Sequence, residues 1–249
     1  CGRIIRISQT YYACEDDGDE YTFCYDCYTS RTSCKPIHDY YYKPDPLFRG
    51  DGDRYFGVEL EVDGAGEDDD NAAEVMSIAN GNGLENLYCK HDGSLDDGFE
   101  MVTHPMTLAY HQAEMPWEAI LRKVVQMGYK SHQAGTCGLH VHVNRNAFGE
   151  TETQQDAVIA RILFFFEKNW EELLKFSRRT QYQLDQWAAR YGYKDQPKEL
   201  LDHAKKSAHA GRYTSVNLTN KNTIEFRIFR GTLKYNTLIA TLQLLDRIC

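Results

Sequence analysis

The stretch Gly138 to Asn144, GLHVHVN, sets His140 and His142 two positions apart inside an aliphatic run. Residues two apart on an extended strand share a face, so both imidazoles point one way while Leu139, Val141 and Val143 point the other. VELEV repeats the design with Glu59 and Glu61 against Val58, Leu60 and Val62. TIEFRIFRG repeats it again, with Glu225 and Arg227 against Ile224, Phe226 and Ile228. A single alternating strand is ordinarily just half exposed to water. Solvated faces favour Lys, Thr and Ser, however, and three faces restricted to Glu, His and Arg would assemble, in one sheet, a floor of carboxylates and imidazoles that binds a divalent metal. KHDGSLDDGFEMVTHP adds Asp92 and Glu100. Asp92 precedes Gly93 and is equally a turn former, whereas Glu100 between Phe99 and Met101 would be costly to bury without a partner. Carboxylate-heavy ligation with one histidine suits Mg or Mn, since hard oxygen ligands select hard cations. Arg227 and Arg230 suit phosphate or carboxylate oxygens, which guanidinium forks grip in bidentate fashion.

A second chemistry sits near the start. FCYDCY is a C-x2-C knuckle, and Cys24 and Cys27 are candidates for half of a tetrahedral zinc site. Cys1, followed by Gly2, reads as the second cysteine of another knuckle that begins upstream, and Cys14 and Cys34 are alternatives, with His38 a weaker one. Such a site would be structural, holding together a small module with little core of its own. Cys89, Cys137 and Cys249 stand singly in apolar surroundings and read as small core residues. With five of its eight cysteines in the first 34 residues, the chain reads as reduced and cytoplasmic rather than disulfide-bonded. A chain that begins and ends on Cys also reads as a piece of a longer one.

The elements that must position these residues follow from patterning. Residues 1–47 form a Cys-rich zinc-binding module and linker in which Pro36, Pro44 and Pro46 act as extended spacers, and 48–249 form the catalytic domain. RYFGVELEV alternates as a strand, and further strands are expected at 86–91, 99–104, 138–144, 213–218 and 222–229. The acidic loop EDDDN caps a helix starting near Ala72. One long helix is expected from Thr153 to Phe176, with others at 107–127, 181–191, 197–206 and 236–248. The hydrophobic content of 42% is enough for one good-sized core, and no apolar run reaches the ~18 residues of a membrane span. The net charge of -9 argues against a general nucleic-acid grip, so an anionic ligand must be met locally or through cations.

Taken in order, GVELEV, KHDGSL, GFEMVTHP, CGLHVHVN and TIEFRIFRG resemble the amidoligase family of the glutamine synthetase-like carboxylate-amine ligases, over roughly residues 54–249. The resemblance implies an α+β fold with a curved antiparallel sheet flanked by helices, beside the zinc-ribbon-like module. It implies Glu59 and Glu61 split between two metal positions, His140 and Glu225 as further ligands, and Asp92 with Glu100 as another carboxylate pair, Asp92 being shorter than the usual Glu. His142 then falls on the nucleotide side, and Arg227 on substrate or phosphate. The implied reaction is ATP-dependent: a carboxylate becomes an acyl phosphate, and an amine displaces phosphate to leave an amide, with Mg or Mn neutralising the phosphate oxygens. Arg227, Arg230 and Arg212, with Lys90, would stabilise the developing charge. His142 or Glu100 would take the proton of the amine. Asn144 and Asn217 would orient substrate or metal-bound water, or else tie strand ends. Arg178 and Arg179, at the end of the long helix, either approach the nucleotide or simply complement the helix dipole. Small-molecule, peptide or protein carboxylates and amines are the expected partners, with neither nucleic acid nor membrane among them; the oligomeric state is left open. Two other classes stand beside the ligase: a metal-dependent hydrolase using the HxH pair, and an inactive scaffold.

Overall fold

A computed structural model describes residues 4, 6–7, 10–14, 20–24, 27–28, 35–207 and 211–249. Near the start, β1 (Tyr11–Cys14) and β2 (Glu20–Phe23) pair as an antiparallel hairpin of their own, with Tyr11 opposite Phe23. The remaining strands are β3 (Ile37–His38), β4 (Phe56–Asp63), β5 (Leu87–Lys90), β6 (Gly98–Thr103), β7 (Gly138–Asn144), β8 (Val216–Asn217) and β9 (Thr223–Arg230). They form one seven-stranded sheet in the order β3-β5-β6-β4-β7-β9-β8. Eight α-helices flank it among the described residues: α1 (Asp69–Ala79), α2 (Leu108–Ala113), α3 (Trp117–Gln126), α4 (Glu152–Lys168), α5 (Trp170–Ser177), α6 (Gln181–Trp187), α7 (Pro197–Ser207) and α8 (Tyr235–Ile248). None of them is long and apolar enough to cross a membrane.

The α+β class holds, with one change: the sheet is mixed, because β3 runs parallel to β5 while every other pairing of strands is antiparallel. Alternation explains which face is core. Phe56, Val58, Leu60 and Val62 of β4, Leu139, Val141 and Val143 of β7, and Ile224, Phe226 and Ile228 of β9 are all buried. Trp117, Ile120 and Val124 of α3 and Leu238, Leu242 and Leu245 of α8 supply apolar residues to the same core.

Two expected helices are broken. The 153–176 helix ends at Asn169, whose side-chain amide donates to the Phe165 carbonyl, and α5 starts afresh from it. The 107–127 helix breaks at Pro116, which caps α3 because it has no N–H to continue α2. Asp68 caps α1 by accepting from the Asn71 N–H, so the acidic loop does what its composition suggested. The expected 213–218 strand shrinks to Val216–Asn217.

An irregularity in β9 matters for the site. Leu139 pairs with Phe229 but Val141 pairs with Phe226, so β9 carries one residue more than β7 across this step. The extra residue re-phases the strand. Ile228 and Phe229 both bury in the core, and Arg230, which strict alternation would place with Phe226, instead lines the same cleft as Arg227.

Candidate active site

The polar face of the central strands is the floor of a cleft of about 1060 Å³. The pairing register puts Glu61 beside Glu100 and Glu59 beside His140, and sets His142 between Gly57 and Glu225. Neighbouring strands therefore deliver a near-continuous patch of acids and imidazoles. Nδ1 of His140 lies 3.5 Å from Glu59 Oε2, 3.8 Å from Glu61 Oε1 and 3.9 Å from Glu225 Oε1. His142 spends both ring nitrogens, Nε2 on Glu59 Oε1 at 3.0 Å and Nδ1 on Thr223 Oγ1 at 3.1 Å. Glu61 accepts the Gly138 N–H, and Glu225 accepts from Arg227 Nη1 and from Asn217 Nδ2.

Three sets of donor atoms lie within 4.8 Å of one another: Glu59, Glu100 and His140; Glu59, His142 and Glu225; and Glu61, Asp92 and Glu100. They overlap at Glu59 and Glu100. All six of the expected carboxylate and imidazole ligands thus converge, and His142 joins them. Asp92 does both things its sequence context allowed, since its Oδ1 also accepts the Ser94 N–H and hydroxyl in a tight turn.

Crowding shifts the titration of these acids in opposite directions. Burial and then the neighbouring Glu59 push the Glu100 carboxyl well above the ordinary range. Burial acts on Glu59 in the same sense, but His142 and His140 outweigh it and hold Glu59 well below that range. Burial would lower His142, yet Glu59 raises it. A divalent cation would favour the charged form of every carboxylate here, so the donor set suits a hard cation.

Cations share the cleft with this floor. Lys90, Arg179, Arg212, Arg227 and Arg230 all line the cleft. Arg212 donates to the Tyr40 hydroxyl at 2.8 Å, and its guanidinium stands 5.6 Å from the Tyr213 ring. Lys90 stands over the Tyr40 ring at 5.6 Å and Arg227 over the Tyr213 ring at 5.8 Å. Tyr40 follows the edge strand β3 and Arg212 precedes β8, the opposite edge. Six strand spacings, roughly 29 Å on a flat sheet, separate these edges, yet the segments next to them meet through Tyr40 and Arg212. The strap 39–46, part of the expected linker, thereby forms a wall of the cleft together with α6.

Not every candidate reaches the cleft. Asn144 accepts the Tyr55 N–H at 2.8 Å and donates to the Asp53 carbonyl at 2.9 Å, the strand-tying one of the two roles open to it. Asn217 is buried and touches Glu225 rather than the cleft, so it steadies a carboxylate. Arg178 points to Thr237, outside the cleft, whereas Arg179 enters it. Sequence reasoning missed His132 and Tyr40, which come from loops without periodic pattern, Tyr213, which opens an expected strand that the structure shortens to Val216–Asn217, and Thr223, whose hydroxyl fixes His142. Cys24 is buried, and Cys27, in helical conformation, is half-buried. Cys1 and Cys34 lie outside the described residues, and so does the side chain of Cys14.

No curated protein matches the chain. A family model described as "Putative amidoligase enzyme" matches residues 82–249, a stretch carrying Asp92, Glu100, both histidines, Glu225 and the cleft arginines. That stretch is well over half of the sequence, and the chain belongs to the amidoligase family.

Proposed function

We propose that this protein is an ATP- and Mg-dependent (or Mn-dependent) carboxylate-amine ligase that forms an amide through an acyl phosphate, on a fold like that of the glutamine synthetase catalytic domain. The supporting observation is the trio of overlapping donor sets in one cleft that arginines also line. Hard oxygen donors with one or two imidazoles fit Mg or Mn, and when bound such ions neutralise phosphate oxygens during transfer. A carboxylate resists attack by an amine; as an acyl phosphate it has a good leaving group.

This chain's residues have distinct parts in that scheme. Glu59, Glu61, Asp92, Glu100, His140 and Glu225 hold the cations. Arg227 and Arg230, brought to one face by the irregularity in β9, bind phosphate oxygens, and Lys90 and Arg212 add positive charge at the strap side. Glu100 and His142, each in its unprotonated form, are the groups placed to take a proton from the incoming amine. The cleft is at the upper end of the ~300–1,000 Å³ usual for a single small ligand, which leaves room for a nucleotide and a second substrate. For the N-terminal region we propose a structural zinc module in which Cys24 and Cys27 are two of the ligands, drawn from the candidates Cys1, Cys14 and Cys34 for the remainder. Buried reduced thiols at Cys89 and Cys137 fit a cytoplasmic setting.

The test is ADP release from ATP and Mg in the presence of pools of amino acids and peptides. Carboxylate-dependent release is expected, and Glu59→Ala or Glu61→Ala should lower it by more than the ~10–100-fold typical of losing an outer partner of a metal ligand. ATP-independent hydrolysis of those pools would favour the hydrolase. Intact Mn binding with no turnover on any pool would leave the scaffold.

A further inference from the structure

The segment from Ile37 to Pro46 is built to reach the far side of the cleft. Ile37 and His38 anchor it to the sheet: the Ile37 N–H donates to Asp69 Oδ1 at 2.9 Å, and the His38 carbonyl accepts the His91 N–H at 2.8 Å. Asp39 to Tyr42 then close a turn. The Asp39 carbonyl accepts the Tyr42 N–H at 2.9 Å, and its Oδ1 accepts the Tyr41 N–H at 3.3 Å, the pair of bonds that makes Asp a favoured first residue of a turn. Tyr42 stacks on His38 with ring centroids 3.6 Å apart and meets Tyr88 of β5 edge-on at 5.5 Å, so the base of the turn is fixed to the sheet. Tyr40 and Tyr41 are left at its tip. The turn precedes the stretch 82–249 that the family model matches.

Two supports hold the tip. Tyr11 of the N-terminal hairpin packs edge-on against Tyr41 at 6.4 Å and leans on the buried Tyr28 at 5.3 Å. In the cleft, Tyr40 accepts from Arg212 Nη1 at 2.8 Å, and Lys90 and Arg212 stand 5.6 and 5.9 Å from its ring. Tyr40 follows one edge strand and Arg212 precedes the other, and both line the cavity whose floor carries Glu59, Glu61 and His140. The sheet and this contact therefore form a closed ring around the cleft. The contact itself is light: Arg212 is exposed and Tyr40 is 38% exposed, so water competes for the bond between them. Pro44 and Pro46, in the same wall, restrict the rest of the strap to extended backbone.

We infer that this turn is a specificity element, a crossbar latched by Tyr40 onto Arg212, which admits carboxylates carried by free small molecules or chain ends and shuts out carboxylates carried mid-chain on a polypeptide. A mid-chain group has backbone leaving it on both sides, so it reaches the floor only if that backbone passes under the crossbar. While the latch holds, a closed ring lets a chain in end first or not at all. A small molecule or a terminus meets no such constraint. Only the statement that the excluded carboxylate is a substrate rests on the ligase reading; the exclusion itself rests on the ring.

Cys137 lines the cleft and reports on passage without any turnover. Burial pushes its thiol up to about 12, so it reacts slowly and rates are compared as ratios. The full chain is treated with one maleimide mounted either at the end or in the middle of the same peptide, and peptide mapping reads Cys137 apart from the other cysteines. The parent should react at least tenfold faster with the end-mounted probe. Tyr40→Gly, which removes the latch and suits a turn, should bring the two rates within twofold. Tyr40→Phe, which keeps the ring beside Lys90 but not the acceptor for Arg212, should fall between. Asp39→Ala, which loses the side-chain bond inside the turn, should move the ratio the same way as Tyr40→Gly. Equal rates in the parent, or a tenfold preference that survives in Tyr40→Gly, would each overturn the inference; if Tyr40→Gly loses its cooperative melt, Tyr40→Phe decides by the same ratio. ADP release is the second arm, with a free amino acid and with the same residue held mid-peptide. The parent should favour the free acid at least tenfold, and Tyr40→Gly should narrow that gap. No release with either, beside an intact probe ratio, would sink the ligase and leave the crossbar standing; equal release with both in the parent would sink the crossbar and leave the ligase.

Discussion

Glu59 is shared by two of the three donor sets and is approached by both histidines, yet those histidines are not equivalent. His140 is 5% exposed, with Nδ1 within 4 Å of three carboxylates, whereas His142 already uses both nitrogens on Glu59 and Thr223. His140→Ala should therefore cost more Mn affinity by calorimetry than His142→Ala, and equal losses would contradict the division of roles. A different histidine should tie stability to pH. His111 is fully buried; its Nε2–H donates to the Phe56 carbonyl and its Nδ1 accepts from Trp117 Nε1 at 3.2 Å, so both nitrogens are committed to the neutral tautomer. Burial lowers its pKa to about 4. The unfolded chain then binds the proton first, so stability is full above the unfolded value of about 6.5 and falls as pH drops toward 4, by on the order of 3 kcal/mol. Urea midpoints at pH 7.5 and pH 5 should separate more for the parent than for His111→Gln; identical shifts would show that His111 is not the sensor.

At the scale of elements, the sheet depends on a close approach at its centre. A Cβ on Gly98 would lie 1.9 Å from the Val62 carbonyl oxygen and 2.6 Å from Asp63 Cα, both fixed backbone of β4. Gly98→Ala must push β6 off β4 and should cost at least the ~1–3 kcal/mol of ordinary overpacking, read as a lower urea midpoint; a change under ~0.5 kcal/mol would mean the strands are free to part. Such contacts explain what was and was not legible in the chain. Alternation identified β4, β7 and β9 and their polar face because a two-residue period survives in the letters. The residue inserted in β9 leaves no mark in TIEFRIFRG, and without it Arg230 would face the core. Glu167 shows a related limit: it is a charged residue on the buried face of α4, 4% exposed, accepting from Arg190 Nε and the Tyr191 N–H at 2.8 Å. Tertiary partners decide such cases, and they come from segments distant in sequence.

At the scale of the whole molecule, the stretch that matches the family and the stretch that folds are different. The match begins at residue 82, yet β4 lies at 56–63 and is bordered by β6 on one side and β7 on the other. Without β4 the sheet is cut in two through its middle, and Glu59 and Glu61 go with it. Burying Phe56, Val58, Leu60 and Val62 contributes about 1.5–3 kcal/mol each, which together matches the whole ~5–15 kcal/mol stability of a typical domain. The proposed boundary at 48 falls elsewhere: a chain of residues 48–249 loses the edge strand β3 and the Tyr40 contact to Arg212 but keeps every strand from β4 to β9. That chain should melt cooperatively by circular dichroism and still bind Mn, because all the carboxylates and both histidines remain. A chain of residues 82–249 should show no cooperative melt and no Mn site. If 82–249 folds, β4 is an accessory rather than the centre of the sheet; if 48–249 does not fold, the strap that closes one edge of the sheet against the other is part of the fold itself and the domain begins before residue 37.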